Sequence, residues 1–125
     1  MKNLVAALVL AGAALFGLTA CSAPAAPAAQ SAISADAVVV DVRTPGEYAA
    51  GHLEGAMNVD VQASDFDSQM SALPTDGDYV VYCRSGNRSA AAAARLADLG
   101  FTSVTDAGAM SAATVSTGLP IVTTP

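Results

Sequence analysis

Basic residues are nearly absent from this 125-residue chain, with Lys+Arg 5 against Asp+Glu 11 and a formal net charge of −6. A polyanion needs many fixed positive charges on its partner, so nucleic acid and anionic membrane surfaces are excluded as charge-driven partners. Histidine occurs once, at His52, and no C-x-x-C, H-E-x-x-H or paired-histidine spacing exists. The usual zinc arrangements are thereby excluded, and no metal or other cofactor is expected. Cysteine occurs twice, at Cys21 and Cys83. The one conceivable disulfide would join a disordered tail to an arginine-rich loop.

Long apolar runs are also scarce. Leu4 to Leu18 is too short and too glycine-interrupted for a comfortable membrane span, and with Lys2 before it the stretch reads as a targeting segment, residues 1–20. Leu18-Thr19-Ala20-Cys21 closes that segment and resembles the bacterial lipobox, in which the cysteine is lipidated and becomes the new N-terminus. Ordinary secretory cleavage after Ala20 is the alternative. Both readings export the chain to the cell envelope. The first also anchors it to a membrane, on a periplasmic or outer face, through Cys21. Residues 21–34 are rich in Ala and Pro without charge, and read as a flexible tether. Residues 35–125 remain for one small domain with a single modest core.

Within that domain, strands alternate with helices. Val38 to Val42 is a continuous run of the kind buried on both faces of a parallel sheet. Thr44 and Pro45 mark a helix start. Met57 to Val59 is a short strand, and Ser64 to Leu73 a helix capped by Ser64, with Phe66, Met70 and Leu73 on one face. Tyr79 to Tyr82 is a strand, and Ser89 to Leu99 an alanine-rich helix ended by Gly100. Ser103 to Thr105 is a last strand, followed by a weakly marked helical stretch before Gly118-Leu119-Pro120. The alternation predicts an α/β fold with a mainly parallel central sheet flanked by helices on both faces.

Of the four arginines outside the leader, two fall within five positions of Cys83, in Cys83-Arg84-Ser85-Gly86-Asn87-Arg88-Ser89. The strand before and the helix after place this run on a loop at a helix N-terminus. There, unpaired backbone N–H groups and the helix dipole favour negative charge. A cysteine so placed is expected to be a thiolate nucleophile, and the arginines supply planar forks for an oxyanion. Ligands of parallel sheets sit outside the carboxyl ends of the strands, where Cys83 lies. Ser89 is expected to cap the helix and to donate to the thiolate. Asp41 and Arg43 read as a structural ion-pair set, with Glu47 the expected partner of Arg43, and His52 reads as a structural hydrogen-bonder. Arg95 reads as a solvated helix residue.

Two segments, Asp41-Val42-Arg43-Thr44-Pro45-Gly46-Glu47-Tyr48 continuing through Gly51-His52-Leu53-Glu54-Gly55-Ala56-Met57-Asn58, and Val80 to Ser89, resemble the rhodanese-like sulfurtransferases of the single-domain type. The resemblance spans the domain from Ala35 onward. It implies a twisted sheet flanked by helices, with Cys83 carrying sulfur. A donor such as thiosulfate would give its sulfane sulfur to Cys83, and cyanide or a thiol would take it from the persulfide. Arg84 to Ser89 would hold the small anionic donor, with Asp41, Arg43 and His52 in support. The sequence departs from the family near its end. Ala107-Gly108-Ala109-Met110 replaces an adjacent glycine pair, and Ala113 or Thr114 stands where a tryptophan would fall, so one pocket wall differs. Two other readings use the same residues. One is a membrane-tethered, non-catalytic sulfur carrier or polysulfide-binding module. The other is a phosphatase or arsenate reductase, whose loops resemble C-x5-R where Cys83 and Arg88 give C-x4-R.

Overall fold

A computed structural model describes residues 33–123. The leader, Cys21 and most of the expected tether lie outside them. The elements in chain order are β1 (Val38–Asp41), α1 (Pro45–Ala50), β2 (His52–Leu53), β3 (Met57–Asn58), α2 (Phe66–Ser71), β4 (Asp78–Cys83), α3 (Asn87–Asp98), β5 (Ser103–Ala109), α4 (Met110–Thr117) and β6 (Ile121–Val122). The main sheet has the order β3-β1-β4-β5 with every pair parallel, and β2 and β6 form a separate antiparallel pair.

Side-chain alternation along β1 and β4 builds a core on each face of the sheet. Val40, Val42, Val81 and Cys83 face Phe66 and Met70 of α2 and Ala92 and Leu96 of α3. Val39, Val80 and Tyr82 face Leu53, Ala56 and Ala113 of α4. Ile33, at the end of the expected tether, packs against this second core. Ala113, one of the two positions where the family resemblance would put a tryptophan, is fully buried there.

Several boundaries differ from the sequence expectation. The second helix starts at Phe66 and not at Ser64. Its N-cap position is Asp65, whose carboxylate accepts from Gln69 Nε2 at 2.8 Å instead of capping a backbone N–H. It stops at Ser71 because Pro74 disfavours helical backbone just ahead of it. The helix after Cys83 starts two residues early, at Asn87, because Gly86 turns the chain into it. Ser89 therefore lies inside the first turn and is not the cap. The last long strand runs on to Ala109, with a register shift opposite Val81/Tyr82 and Gly108 at φ 73°. Asp106, Ala107 and Gly108 carry little strand preference, which hid this extension. The two-residue strands β2 and β6 have no sequence signal.

The C-terminal ends of the strands are joined by a buried polar network. Asp41, at the end of β1, is fully buried, and Arg43 is nearly so. The Arg43 backbone N–H donates to Asp41 Oδ1 at 2.9 Å, Nε to the same oxygen at 2.9 Å, and an Nη to Oδ2 at 2.6 Å. That Nη also donates to Gly51 O at 2.6 Å. Tyr82 Oη donates to Asp41 Oδ2 at 2.9 Å and accepts from Leu53 N at 2.9 Å. Asn58 Nδ2 donates to the carbonyls of Asp41 and Arg43 at 3.0 and 2.8 Å. The expected Arg43–Glu47 pair is thus replaced by Arg43–Asp41, because only Asp41 shares its buried environment.

Removing one partner of such a pair leaves the other charge buried and uncompensated. Asp41→Ala should cost about 3–5 kcal/mol of stability. Tyr82→Phe, which strands the Leu53 N–H, should cost about 1–3 kcal/mol. Urea unfolding of both variants checks this, and midpoints equal to wild type would make the network dispensable.

Candidate active site

The loop over Cys83 is short because β4 runs directly into it and α3 begins four residues later. Gly86 makes that possible. It adopts φ 102°, ψ −18°, a left-handed conformation that a side chain disfavours, and so points its N–H back at the sulfur. Gly86 N donates to Cys83 Sγ at 2.9 Å. Ser89 Oγ lies 3.5 Å from Sγ and donates to Gly86 O at 3.0 Å, which ties the first turn of α3 to the loop.

Two opposing effects act on the Cys83 thiol, which is free and fully buried. Burial pushes its pKa up. The Ser89 hydroxyl and the backbone N–H groups of Ser89, Gly86 and Ser85 favour the thiolate and outweigh burial, so the pKa falls below the ordinary value.

The arginines fall into different roles. Arg84 is exposed and makes no hydrogen bond or ion pair among the described residues. Arg88 is part-buried and bidentate on Glu47, with N···O distances of 3.2 and 2.9 Å. Glu47 stands in the first turn of α1, fixed by Thr44, whose Oγ1 accepts from Glu47 N at 3.3 Å, and by Pro45 at the helix start. Sequence reasoning missed this pair, since 41 residues separate its members and no local pattern links them. Arg95 is also not merely solvated. It donates to Val61 O at 2.8 Å, pairs with Asp67 at 2.6 Å and lies over the Phe66 ring. Its position is on the packed side of α3, away from the loop.

Of the other residues singled out, Ser85 and Asn87 are exposed on the loop and at the start of α3. Asp41 and Arg43 form the network described above, beneath the loop at the end of β1. His52 is buried, hydrogen-bonded through Nδ1 to Tyr48 O at 2.8 Å and stacked on the Tyr48 ring at 3.6 Å. Tyr48 in turn donates to Ala56 O at 2.7 Å, so His52 serves the wall between α1 and β3. The structure therefore gathers Cys83, the loop N–H groups, Ser89, Arg84, Arg88 and Glu47 at one strand end.

Comparison with known proteins agrees with the fold. The rhodanese-like domain profile matches residues 25–108. A protein named sulfurtransferase from Allochromatium vinosum is 39% identical over 87 residues, covering 70% of this chain and 79% of its own. A thiosulfate sulfurtransferase from Pseudomonas fluorescens is 44% identical over 77 residues, covering 61% and 68%. Among solved structures, a rhodanese-like domain from Anabaena superposes with a TM-score of 0.61 at 28% identity, over 69% of this chain and 98% of that one. An Escherichia coli rhodanese solved with anions gives 0.57 at 26% identity, over 70% and 98%.

Because the Cys83 pKa is lowered, alkylation by iodoacetamide should reach half its maximal rate at a lower pH than for a free cysteine. Ser89→Ala removes the hydroxyl beside the sulfur that lowers its pKa and should move that midpoint up. A wild-type profile indistinguishable from free cysteine would show that burial, and not the donors, wins at this sulfur.

Proposed function

This chain belongs to the rhodanese-like family and is a sulfurtransferase, and we propose that it moves sulfane sulfur from thiosulfate or a similar donor to cyanide or a thiol through a persulfide on Cys83. The observation that carries this reading is the Gly86 N–H held 2.9 Å from Cys83 Sγ at the carboxyl end of β4. It stabilises a thiolate before substrate arrives. Relatives bearing the name thiosulfate sulfurtransferase lend support to the donor.

In the first step, the Cys83 thiolate forms a bond to the outer sulfur of thiosulfate. The S–S bond of the donor breaks, and sulfite leaves with its electron pair. In the second step, cyanide attacks the outer sulfur of the persulfide, thiocyanate departs and the thiolate is regenerated. The same N–H groups face negative charge in the thiolate and in the persulfide, so they need no rearrangement between the two. Arg84, exposed and without an ion pair among the described residues, is the residue assigned to receive the anionic end of the donor.

The reading extends to location. We assign the chain to the cell envelope, exported and held to a membrane by lipid on Cys21, on the strength of Leu18-Thr19-Ala20-Cys21. Cys21→Ala should shift the protein from the membrane to the soluble fraction without altering turnover per molecule. Retention of that variant in membranes would refute the anchor.

Cys83→Ser should abolish thiocyanate formation and leave the fold intact, since only the nucleophile is lost. Arg84→Ala should lower kcat/KM for thiosulfate by about tenfold, as expected for one charge-assisted contact at an exposed site. Mass spectrometry after thiosulfate treatment should find one added sulfur on wild type and none on Cys83→Ser. Turnover by Cys83→Ser near that of wild type would sink the mechanism.

A further inference from the structure

From Ala107 to Pro125 the sequence holds no charged residue, although the whole chain carries a formal net charge of −6. That stretch builds the tail of β5, α4 and β6. α4 gives Ala113 to the core of Val39, Val80 and Tyr82, and β2, the partner of β6, gives it Leu53. Ala113 is the only residue that α4 buries, so most of the helix looks outward. Three large apolar side chains are exposed among the described residues, and two belong here: Val115 at 79% and Ile121 at 51%. Single exposed apolar residues are ordinary. The hydroxyls around Val115 set this face apart. Thr114 Oγ1 donates to Ser111 O at 2.7 Å, Ser116 Oγ to Ala113 O at 3.3 Å and Thr117 Oγ1 to Ala113 O at 2.6 Å. A hydroxyl that donates to its own helix gives up water at little cost. The face can therefore be dried without stranding a charge or those three donors.

The chain enters the domain on this same layer. Ile33 packs against the core that α4 covers, as do Met110 and Leu119. From Cys21 to Ile33 the chain reaches about 40 Å at full extension, little more than the width of a domain this size. Resting on the Cys21 anchor proposed above, we propose that the outer face of α4 and β6, with Val115 and Ile121, docks on the surface of a neutral phospholipid bilayer. Two aliphatic side chains are too few to hold a free protein there. A short link to the bilayer makes them sufficient by raising the effective concentration of the face at the lipid. The other surfaces are acidic: Asp36, Asp76 and Asp78 are exposed around the starts of β1 and β4, and Asp65 and Asp98 on the layer of α2 and α3. Glu54, whose N–H donates to Pro120 O at 2.9 Å, and Asp106 on β5 rim the uncharged face and turn it away from anionic lipid. Cys83 packs in the opposite core with Phe66 and Met70, so docking leaves the sulfur uncovered.

The test places full-length, lipidated protein in phosphatidylcholine nanodiscs that carry a nitroxide at the headgroup and reads backbone amide signals by NMR. Amides of α4 and β6 should lose intensity while those of α2 and α3 keep theirs. Equal loss on both layers, or loss on α2 and α3, overturns the proposal. The double variant Val115→Asp, Ile121→Asp changes only exposed positions. It should still copurify with the discs and form thiocyanate as wild type does, yet recover the α4 amide signals. Persistent loss in that variant overturns the proposal too. In Cys21→Ala protein without lipid, α4 shifts that move with protein concentration would show that a second copy covers the face, and that result also refutes lipid docking. If mass spectrometry finds no lipid on Cys21, the anchor reading is lost and this proposal with it. Lipidated protein with even signal loss defeats the docking face alone.

Discussion

A fully buried carboxylate at the end of the first strand constrains everything around it. Asp41 has no access to water, so its oxygens must be met by protein donors or the chain does not fold. Arg43, two residues on, meets it with side chain and backbone, and Tyr82 from the neighbouring strand meets it from the other side. Each of those donors brings a further tie: Arg43 to Gly51, Tyr82 to Leu53, and Asn58 to the carbonyls of the same turn. Burial also pushes the Tyr82 phenol well above its ordinary pKa, so it remains a donor. The result fixes β1, β2, β3 and β4 relative to one another directly beneath the cysteine loop.

Above that floor the same physics runs with a different outcome. Burial disfavours the Cys83 thiolate just as it would disfavour an unpaired Asp41. Compensation at the sulfur comes mainly from one hydroxyl and backbone N–H groups. Backbone donors are fixed by the fold and carry no net charge. They can therefore favour negative charge on sulfur without blocking the approach of a donor. Gly86 is the residue that lets a loop this short turn its N–H inward.

The two layers meet through α1. Thr44 and Pro45 start a helix of only six residues, and its first turn carries Glu47 to Arg88. The mouth of the site thus owes its charge to a segment 41 residues away from the loop. A chain with four arginines in its domain spends one inside the core, one on the side of α3 that faces α2 and one on Glu47. Arg84 is left facing solvent beside the thiol.

Local chemistry was enough to read much of this from the sequence. The β-branched run of Val38–Val40 and the aromatic and β-branched run of Tyr79–Tyr82 specify buried parallel strands, Thr44-Pro45 specifies a helix start, and a cysteine between a strand and an alanine-rich helix specifies an anion-binding loop. Those signals act within a few residues, where spacing and propensity are decisive. The extent of α2, the tail of β5 and the pairing of β2 with β6 depend on neighbours distant in the chain, and Asp106-Ala107-Gly108 has no preference of its own to reveal. The partners of Arg43, Arg88 and Arg95 were likewise open to several carboxylates in sequence. Only the tertiary structure chose Asp41, Glu47 and Asp67, because an ion pair is decided by which charges burial and helix placement bring within about 4 Å, and that distance is not written in the order of residues.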